Sequence, residues 1–292
     1  MRLRALTYAG VLLLAACSGL NDMDLLESPV KQRVEITSEY PAIVKVVSPG
    51  GLGLCTGTFI ADRAVLTAAH CTDRDGTYTV LSAFGTFQTD TIMNFGNGGI
   101  DDPNDLALLL FPEAVASPEA GQVIPLGDAP AALERIRLVG YGCNSLETRL
   151  GAGIKRTGTN QIYRITDYIE LVTPLSDTSN NGRSLLGPAN RAGSCFGDSG
   201  GPMLRETASG LEIIGVAHAG AWNDQYTLSQ YGNLNRNDNL LFLRDASNDF
   251  DLNLFEACHL ADSPGFCNAY WSYMQIFQFL KLVWTRLLRW FF

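Results

Sequence analysis

The chain of 292 residues is long enough to bury one large core or two small ones, and 46% of its residues are hydrophobic. Residues 18–262 hold 16 basic and 30 acidic side chains, a net charge of −14. This acidic balance argues against nucleic acid as a partner.

The chain begins with a segment typical of export. A basic start precedes an apolar run, residues 5–16, that is too short to cross a bilayer as a helix. The run closes on LAAC, ending at Cys17, and this sequence resembles the lipobox of bacterial lipoproteins, in which the cysteine is lipidated. We therefore expect residues 1–17 to be a lipoprotein signal peptide and residues 18–33 a polar tether. The alternative is an ordinary signal peptide with an incidental cysteine.

Both alternatives predict an exported protein, in which disulfides are permitted. Lipidation at Cys17 would in addition anchor the chain to a membrane, in the bacterial outer membrane or elsewhere in the cell envelope.

From Tyr40 onwards, short apolar runs alternate with turns rich in Gly, Pro, Asn and Asp. The runs predicted to be strands are AIVKVV, CTGTFIA, AVLTAA, YTVLSAF, LALLLF, IRLVGYG, DYIELV and EIIGVAHAG. Many short strands with little helix predict closed barrels or a sandwich. The first convincing helix is NDNLLFLRDAS, with Asn237 or Asp238 as its N-cap.

The last part of the chain predicts a disulfide loop and an amphipathic helix. Residues 251–269 form a polar connection that contains two cysteines. In residues 270–292, polar side chains recur every three or four positions along an otherwise aromatic and aliphatic segment. Its three cations and three tryptophans suit a helix lying in a lipid interface, whereas the cations make a transmembrane span costly. The alternative is a helix packed on the protein's own surface.

Seven cysteines leave an even number once Cys17 is set aside. The spacing suggests the pairs Cys55 with Cys71, Cys258 with Cys267, and, as the remainder, Cys143 with Cys195. Sequence alone leaves this connectivity open. Cys71 lies beside His70, but no CxxC or HxxxH spacing accompanies them. We therefore expect neither a metal site nor a cofactor.

Three motifs, far apart in the chain, carry the residues of nucleophilic catalysis. CTGTFIADRAVLTAAHC places His70 after one predicted strand, and NDLALLLF places Asp105 at the start of another. AGSCFGDSGGPM surrounds Ser199 with four glycines. A serine hydroxyl is a weak nucleophile until a base removes its proton, and imidazole titrates near neutral pH. The chain has only three histidines, so the choice of base is narrow.

With these motifs in the order His, Asp, Ser, the chain resembles the chymotrypsin/trypsin-like serine proteases from about residue 40 to residue 247. The resemblance implies an all-β fold of two six-stranded antiparallel β-barrels with a short C-terminal helix, here followed by the extra amphipathic helix. It implies a protease domain over residues 34–250 and a serine endopeptidase that hydrolyses protein or peptide substrates through an acyl-enzyme. The alternative is a catalytically inactive protease-fold lipoprotein that acts as a binding or scaffold protein.

The resemblance also implies roles for single residues. His70 would be the general base, Asp105 the carboxylate that orients it, and Ser199 the nucleophile. The amides of Gly197 and Ser199 would form the oxyanion hole. Asp198 would be the carboxylate that organises this loop.

The substrate-binding residues implied by the resemblance are Gly193 and Ser194 at the base of a pocket, with His218 and Gly220 on its edge strand. No aspartate stands at the base, which disfavours Arg or Lys in the substrate. His218 has two open interpretations. It either favours acidic substrate side chains or is a structural histidine hydrogen-bonded behind Asp105.

Two features depart from the family pattern. No Ile-Val-Gly-Gly-like start is found, although in the family its freed amine pairs with the residue that matches Asp198. Arg33-Val34 offers a cleavage point without the following glycines. The usual partner of Cys195 is also absent near residues 221–230, and Cys143 is expected to replace it.

Overall fold

We describe a computed structural model of the chain over residues 35–99, 101–144, 148–174, 191–223 and 226–255. Within these ranges the chain forms fifteen strands, three short 3₁₀ turns and one α-helix. The strands are β1 (Glu35–Ile36), β2 (Ile43–Val47), β3 (Leu54–Ala61), β4 (Ala64–Thr67), β5 (Tyr78–Leu81), β6 (Thr86–Thr89), β7 (Thr91–Phe95), β8 (Leu106–Leu110), β9 (Arg135–Gly140), β10 (Arg156–Gln161), β11 (Arg164–Ile165), β12 (Tyr168–Pro174), β13 (Pro202–Thr207), β14 (Gly210–Trp222) and β15 (Tyr226–Asn233). The helix α1 spans Asn237–Phe250, and the 3₁₀ turns are Pro49–Gly51, Ala69–Thr72 and Pro118–Ala120.

The first sheet is antiparallel and runs in the order β6-β5-β2-β3-β4-β8-β7. Its two outermost strands are consecutive in the chain, with only Asp90 between them. The sheet must therefore curl until its edges meet, because one residue cannot span an open sheet. At the seam, the Thr89 hydroxyl on β6 donates to the Leu110 carbonyl on β8 at 2.5 Å. With β6 and β7 read as one bent strand, the barrel has six strands.

The second sheet is also antiparallel, in the order β1-β10-β9-β13-β14-β15-β12-β11. Its outermost members, β1 and β11, are only two residues long, which leaves six principal strands. The Asn160 side-chain amide on β10 donates to the Thr173 hydroxyl on β12 at 3.2 Å and joins the ends of this set. The two antiparallel sheets confirm the predicted all-β, chymotrypsin-like fold.

A continuous apolar core joins the two sheets. Leu66 and Leu108 of the first sheet belong to the same buried cluster as Leu204 and Ile213 of the second. Each fully buried aliphatic side chain of this kind stabilises the fold by about 1.5–3 kcal/mol. Because the core holds the sheets together, the ends of their strands and the loops that follow keep a constant geometry.

The helix α1 begins at the predicted residue, Asn237, but the predicted N-cap is wrong. Arg236 holds the N-cap position with extended backbone and no side-chain capping bond. In the turn before the helix, the Asn233 side-chain oxygen accepts the Asn235 amide at 2.9 Å. The Phe242 ring of α1 stacks on Phe95 at a centroid distance of 5.0 Å.

The segment after α1 continues onto the core, since Leu252 and Phe255 are buried in the same cluster. This is the start of the predicted connection over residues 251–269. The predicted signal peptide and tether, the Cys258–Cys267 pair and the helix over residues 270–292 lie outside the described residues. In the part of the chain that the structure describes, no helix is long and apolar enough to cross a membrane.

Candidate active site

His70 lies in the 3₁₀ turn that follows β4, at the edge of the first barrel. A disulfide between Cys55 and Cys71 ties this turn to β3 and confirms one predicted pair. The loop after β7 approaches the histidine so closely that a Cβ on Gly98 would lie 2.9 Å from the His70 Cα. Gly98 also has a positive φ of +66°, so glycine suits both the space and the backbone there.

Asp105 directly precedes β8 and is only 2% exposed. Its Oδ1 accepts the backbone N–H of His70 at 2.8 Å, and its Oδ2 lies 2.6 Å from His70 Nδ1. The same Oδ2 lies 2.6 Å from Nδ1 of a second imidazole, His218. One buried carboxylate therefore receives three hydrogen bonds from two histidines.

These contacts decide the charge of Asp105. Burial by itself raises the pKa of the carboxyl group, but the hydrogen bonds from His218 and His70 and the charge of His70 outweigh it. The net result is a pKa well below the usual range for aspartate. Asp105 is therefore a carboxylate throughout the neutral range.

His218 lies on β14, where the pairing with β15 shifts register between Ala217 and Ala219. Such a bulge turns a side chain away from its regular alternation. The side chain is 2% exposed, and its ring stacks on Tyr168 at 5.1 Å, with 6° between the planes. Of the two interpretations of His218, the structure contains the hydrogen bond behind Asp105.

Ser199 lies in the loop between residue 191 and β13. The Thr56 amide donates to the Ser199 carbonyl at 2.8 Å, and the Gly200 amide donates to the Ala217 carbonyl at 2.8 Å. A Cβ on Gly200 would come within 2.0 Å of the Thr67 hydroxyl, at a φ of +77°. The glycine after the serine is thus required for the loop to pack between the two barrels.

Asp198 is buried beneath this loop, 7% exposed. Its Oδ1 accepts the Gly142 amide at 2.7 Å, and its Oδ2 accepts the Cys195 amide at 2.9 Å. Cβ atoms on Gly140 or Gly142 would lie within 2.3 Å of the carboxylate, which explains the two glycines of the GYG sequence. Burial raises the pKa of Asp198 to about 6, although the two amides and the charge of Arg156 act in the opposite direction.

Arg156 on β10 is the buried cation near Asp198. Its guanidinium donates to the carbonyls of Gly142 at 3.1 Å, Gly151 at 2.7 Å and Ile154 at 3.2 Å. Gly142 is thereby held from both sides, with its amide on the carboxylate and its carbonyl on the guanidinium.

A second disulfide, Cys143–Cys195, joins the segment after β9 to the loop that carries Ser199, and it confirms another predicted pair. Both of its cysteines are buried. Disulfides such as these persist in oxidising compartments and indicate an exported protein.

Gly197 adopts a φ of +100°, and its carbonyl accepts the Thr56 hydroxyl at 2.8 Å. Within the described residues, the backbone amides of Gly197 and Ser199 donate no hydrogen bond to the protein. Glycine permits the peptide orientation at this position, because L side chains rarely adopt such a φ.

His70 and Ser199 both line one cavity of about 340 Å³. Three of the predicted substrate-binding residues, Ser194, His218 and Gly220, line the same cavity. The fourth, Gly193, does not. It lines a cavity of about 10 Å³ beside Asp198, which has room for about one water molecule.

The wall of the larger cavity is mainly apolar. Among the described residues that line it, the two histidines are the only titratable side chains. The Thr227 hydroxyl on this wall is buried and has no hydrogen-bond partner among the residues that the structure describes. At the rim, Phe196 and Trp222 meet edge to face at 6.2 Å, and the Arg149 guanidinium lies 4.1 Å from the Phe196 ring centre.

Two groups of side chains in the described residues have metal-like spacing, but their chemistry fits poorly. The first group contains Cys55 and Cys71, whose sulfurs are joined in a disulfide. The second is His70, Asp105 and His218, whose nitrogens lie 2.6 Å from one carboxylate oxygen. Ligands of tetrahedral zinc stand about 3.3 Å apart, so these contacts have the length of hydrogen bonds.

Sequence reasoning missed several residues of this site. Arg156 lies in RTGTNQ, a polar stretch without an apolar period, and no local pattern connects it with Asp198. Tyr168 lies in a predicted strand, but nothing in the sequence places its ring on His218. No pattern in the sequence indicated a role for Thr56, whose hydroxyl donates to the Gly197 carbonyl and accepts the Tyr141 amide.

The site combines an imidazole and a serine on one cavity with a buried carboxylate behind the imidazole. With an antiparallel barrel on each side, this arrangement defines a class of protein, the two-barrel serine hydrolases. The family comparison agrees with this class. The Trypsin family matches residues 30–235, and the chain belongs to this family of serine-type endopeptidases.

Three individual relatives are between 26% and 28% identical to this chain. A trypsin of Saccharopolyspora erythraea is 27% identical over 198 residues, which cover 62% of this chain and 82% of the relative. The lectizyme of Glossina austeni is 28% identical over 205 residues, 62% of this chain and 73% of the relative. A CLIP domain-containing serine protease B15 of Anopheles gambiae is 26% identical over 207 residues, and the match spans about half of each protein, 57% of this chain and 54% of the relative.

Proposed function

We propose that this chain hydrolyses peptide bonds by nucleophilic catalysis, with Ser199 as nucleophile, His70 as general base and Asp105 as the group that orients the base. The observation that carries the proposal is the contact of Asp105 with His70 at two points, the backbone N–H and Nδ1. Since Nδ1 is engaged, Nε2 remains for proton transfer, and the His70 side chain is 30% exposed at the cavity that Ser199 also lines.

In the proposed reaction, His70 Nε2 takes the proton of the Ser199 hydroxyl while the serine oxygen attacks the scissile carbonyl carbon. The carbonyl oxygen becomes an oxyanion, which the amides of Gly197 and Ser199 bind. The imidazolium then gives its proton to the leaving amine, and the C–N bond breaks to leave an acyl-enzyme. Water repeats the sequence, with His70 as base, and releases the acid and the serine.

Protein or peptide substrates follow from the family, and we propose that the preferred side chain is uncharged. The cavity wall, which includes Ser194, Gly220 and Thr227, is mainly apolar as a whole. His218 is turned to the carboxylate of Asp105, which argues against its use for acidic side chains. The Thr227 hydroxyl, which bonds to no other group in the described ranges, offers one polar contact.

We also propose that the protein is exported and held at a membrane by a lipid on Cys17, with residues 270–292 as a second, interfacial contact. The support is the lipobox-like sequence and the spacing of aromatic and basic residues in the C-terminal segment. An acidic body with a basic tail suits a tail that binds an anionic surface.

Labelling with a fluorophosphonate tests the proposed chemistry. The reagent phosphonylates an activated serine, so the wild-type chain should gain one adduct by intact mass, and Ser199→Ala and His70→Ala should gain none. Ser194→Ala is the matched control, because this serine lines the same cavity and should leave the adduct unchanged.

The scaffold alternative predicts a different result. If the oxidised wild-type chain gives a cooperative thermal transition yet takes up no label, either intact or after cleavage at Arg33, the catalytic proposal is wrong. The same conclusion follows if Ser199→Ala is labelled as well as the wild type.

A further inference from the structure

We propose that the enzyme prefers substrates with an acidic residue among the first three positions after the scissile bond, and that Lys45 and Arg149 bind its carboxylate. The inference rests on the proposed function, because the scissile bond is assigned to the place where Ser199 and His70 meet. The juxtaposition that carries it is two cations, one beside Phe196 and one close to Gly197, on a protein whose body is strongly acidic.

The first step concerns where the leaving part of a substrate lies. The leaving amine receives its proton from His70, so it stands on the His70 side of Ser199. The turn that holds His70 is tied to β3 by the disulfide between Cys55 and Cys71. The peptide after the scissile bond therefore passes over the beginning of β3, where Leu54 precedes the disulfide.

The second step places Lys45 on this path. Lys45 of β2 pairs with Thr56 of β3, and the Thr56 hydroxyl donates to the Gly197 carbonyl at 2.8 Å. Cross-strand partners point to the same face, so the lysine also faces this loop. The Leu54 Cδ2 lies 3.5 Å from where a Cβ on Gly197 would stand and 4.0 Å from one on Gly153, and the Lys45 Nζ lies 3.5 Å from the latter. The ammonium is thus within about three residues of extended peptide from Gly197.

The third step concerns Arg149, an exposed residue of the segment between β9 and β10. Its guanidinium lies 4.1 Å from the ring centre of Phe196, which directly precedes Gly197 and lines the cavity. A guanidinium above an aromatic ring keeps its N–H groups at its edge, where a carboxylate can accept two of them at once. The ring therefore holds the cation beside the loop without using its hydrogen-bond donors.

The fourth step concerns charge. Within the ranges that the structure describes, neither Lys45 nor Arg149 forms an ion pair with a carboxylate. A third cation, Lys155, is buried, and its ammonium lies 5.6 Å from the Tyr141 ring centre that Lys45 approaches to 5.5 Å. Burial lowers the pKa of Lys155 to about 8, so most of it is charged at pH 7. An acidic peptide, repelled by a body of net charge −14, is attracted to this one region beside the site.

Internally quenched peptides test the preference. They share an uncharged residue before the scissile bond (alanine, leucine or phenylalanine) and carry aspartate, asparagine or lysine at one of the three following positions. Mass spectrometry of the products identifies the bond that is cut. At physiological ionic strength we expect kcat/KM to be about threefold to tenfold higher for the best aspartate peptide than for its lysine counterpart, with asparagine between them. The ratio should shrink at about 1 M salt, since screening shortens the range of the attraction.

Substitutions of the two cations assign the preference to them. Lys45→Gln and Arg149→Gln should each lower the ratio of aspartate to lysine peptide, and Lys45→Glu should invert it. Arg135→Gln removes an exposed cation at the other end of β9 and is the matched control, which should keep the wild-type ratio. A ratio measured on one variant does not depend on how much of that variant is folded. The inference is wrong if the wild type cleaves both peptides equally well, or if Lys45→Glu and Arg149→Gln both retain the wild-type ratio.

Peptide binding to Ser199→Ala separates this inference from the proposed function. By fluorescence anisotropy, a labelled peptide with three aspartates after the uncharged residue should bind more tightly than the same peptide with three asparagines, and the added Lys45→Glu should remove the difference. This result in a protein that fluorophosphonate does not label supports the acidic preference and contradicts the catalytic proposal alone. Equal binding of the two peptides, in a protein whose Ser199 is labelled, contradicts the acidic preference alone.

Discussion

Asp198 shows at the scale of a single residue how the protein holds a buried charge. A buried carboxylate is costly unless hydrogen bonds and a cation offset its desolvation. Two backbone amides donate to Asp198, and the positive charge of Arg156 also stabilises its ionised form. Burial nevertheless raises the pKa of Asp198 to about 6. The GDSGGP motif was enough to predict a role for Asp198 in this loop. The cation near it could not be predicted, because Arg156 comes from a strand 42 positions earlier in the chain.

The raised pKa predicts a pH dependence of stability. Ionised Asp198 is favoured in the unfolded chain above about pH 4, while the folded protein keeps it protonated up to about pH 6. The contribution of this group to the free energy of unfolding is therefore fully present at low pH and lost as the pH rises from about 4 to 6, by about 3 kcal/mol. We expect Asp198→Asn, in a Ser199→Ala background, to lack this loss.

Urea unfolding at several pH values between 4 and 7 measures it. Asp249→Asn, at an exposed position, is the control and should follow the parent curve. A difference between Asp198→Asn and its parent that is constant with pH would show that Asp198 does not titrate in this range.

At the scale of elements, apolar runs predicted the central strands and missed the polar ones. LALLL forms β8, every residue of which is buried, and its prediction was straightforward. RTGTNQ forms β10 and YTLSQYGN forms β15, although neither has an apolar period. Polar residues are buried in these strands because barrel closure gives them partners, as in the hydrogen bond between Asn160 and Thr173. Such partners come from distant segments, so a local pattern does not contain them.

The two described disulfides connect the elements that carry the site, and they differ in the loops that they close. Cys143 and Cys195 are 52 positions apart, against 16 for Cys55 and Cys71. Chain entropy predicts that replacing the first pair by alanine lowers the free energy of unfolding by about 1 kcal/mol more than replacing the second pair. Urea unfolding of the two double variants measures this difference.

The same pair of variants distinguishes the catalytic roles. Cys195 lies in the same loop as Asp198 and Ser199, and its backbone amide donates to the Asp198 carboxylate. We expect the Cys143→Ala and Cys195→Ala double variant to label more slowly with fluorophosphonate under conditions in which it is fully folded. Equal labelling rates for this variant and the wild type would mean that the bridge contributes to stability without positioning the nucleophile loop.

At the scale of the whole molecule, the charge distribution predicts how the protein meets a membrane. Without the lipid, a Cys17→Ala form should still float with anionic vesicles through residues 270–292 and release them at high salt, since the attraction of the three cations is screened. Neutral vesicles should bind it less. Flotation in a density gradient measures both.

Removing residues 270–292 from the Cys17→Ala form is the decisive comparison. Flotation should be lost, while fluorophosphonate labelling of Ser199 should be unchanged. Undiminished flotation of the shortened chain would exclude the tail as a membrane contact and favour the interpretation of a helix packed on the protein surface.

The sequence by itself indicated the class of chemistry, because His70, Asp105 and Ser199 each stand in a motif that can be recognised from consecutive residues alone. It also predicted the central apolar strands and suggested two cysteine pairs, which the structure then joined as disulfides. Only the tertiary structure decided that His218 contacts Asp105, 113 positions away, and that the charge of Arg156 lies near Asp198. It also decided that polar strands close the barrels. The physical reason is that motifs and apolar periods are short-range properties of the chain, whereas hydrogen bonds to a buried charge depend on which distant segments pack around it.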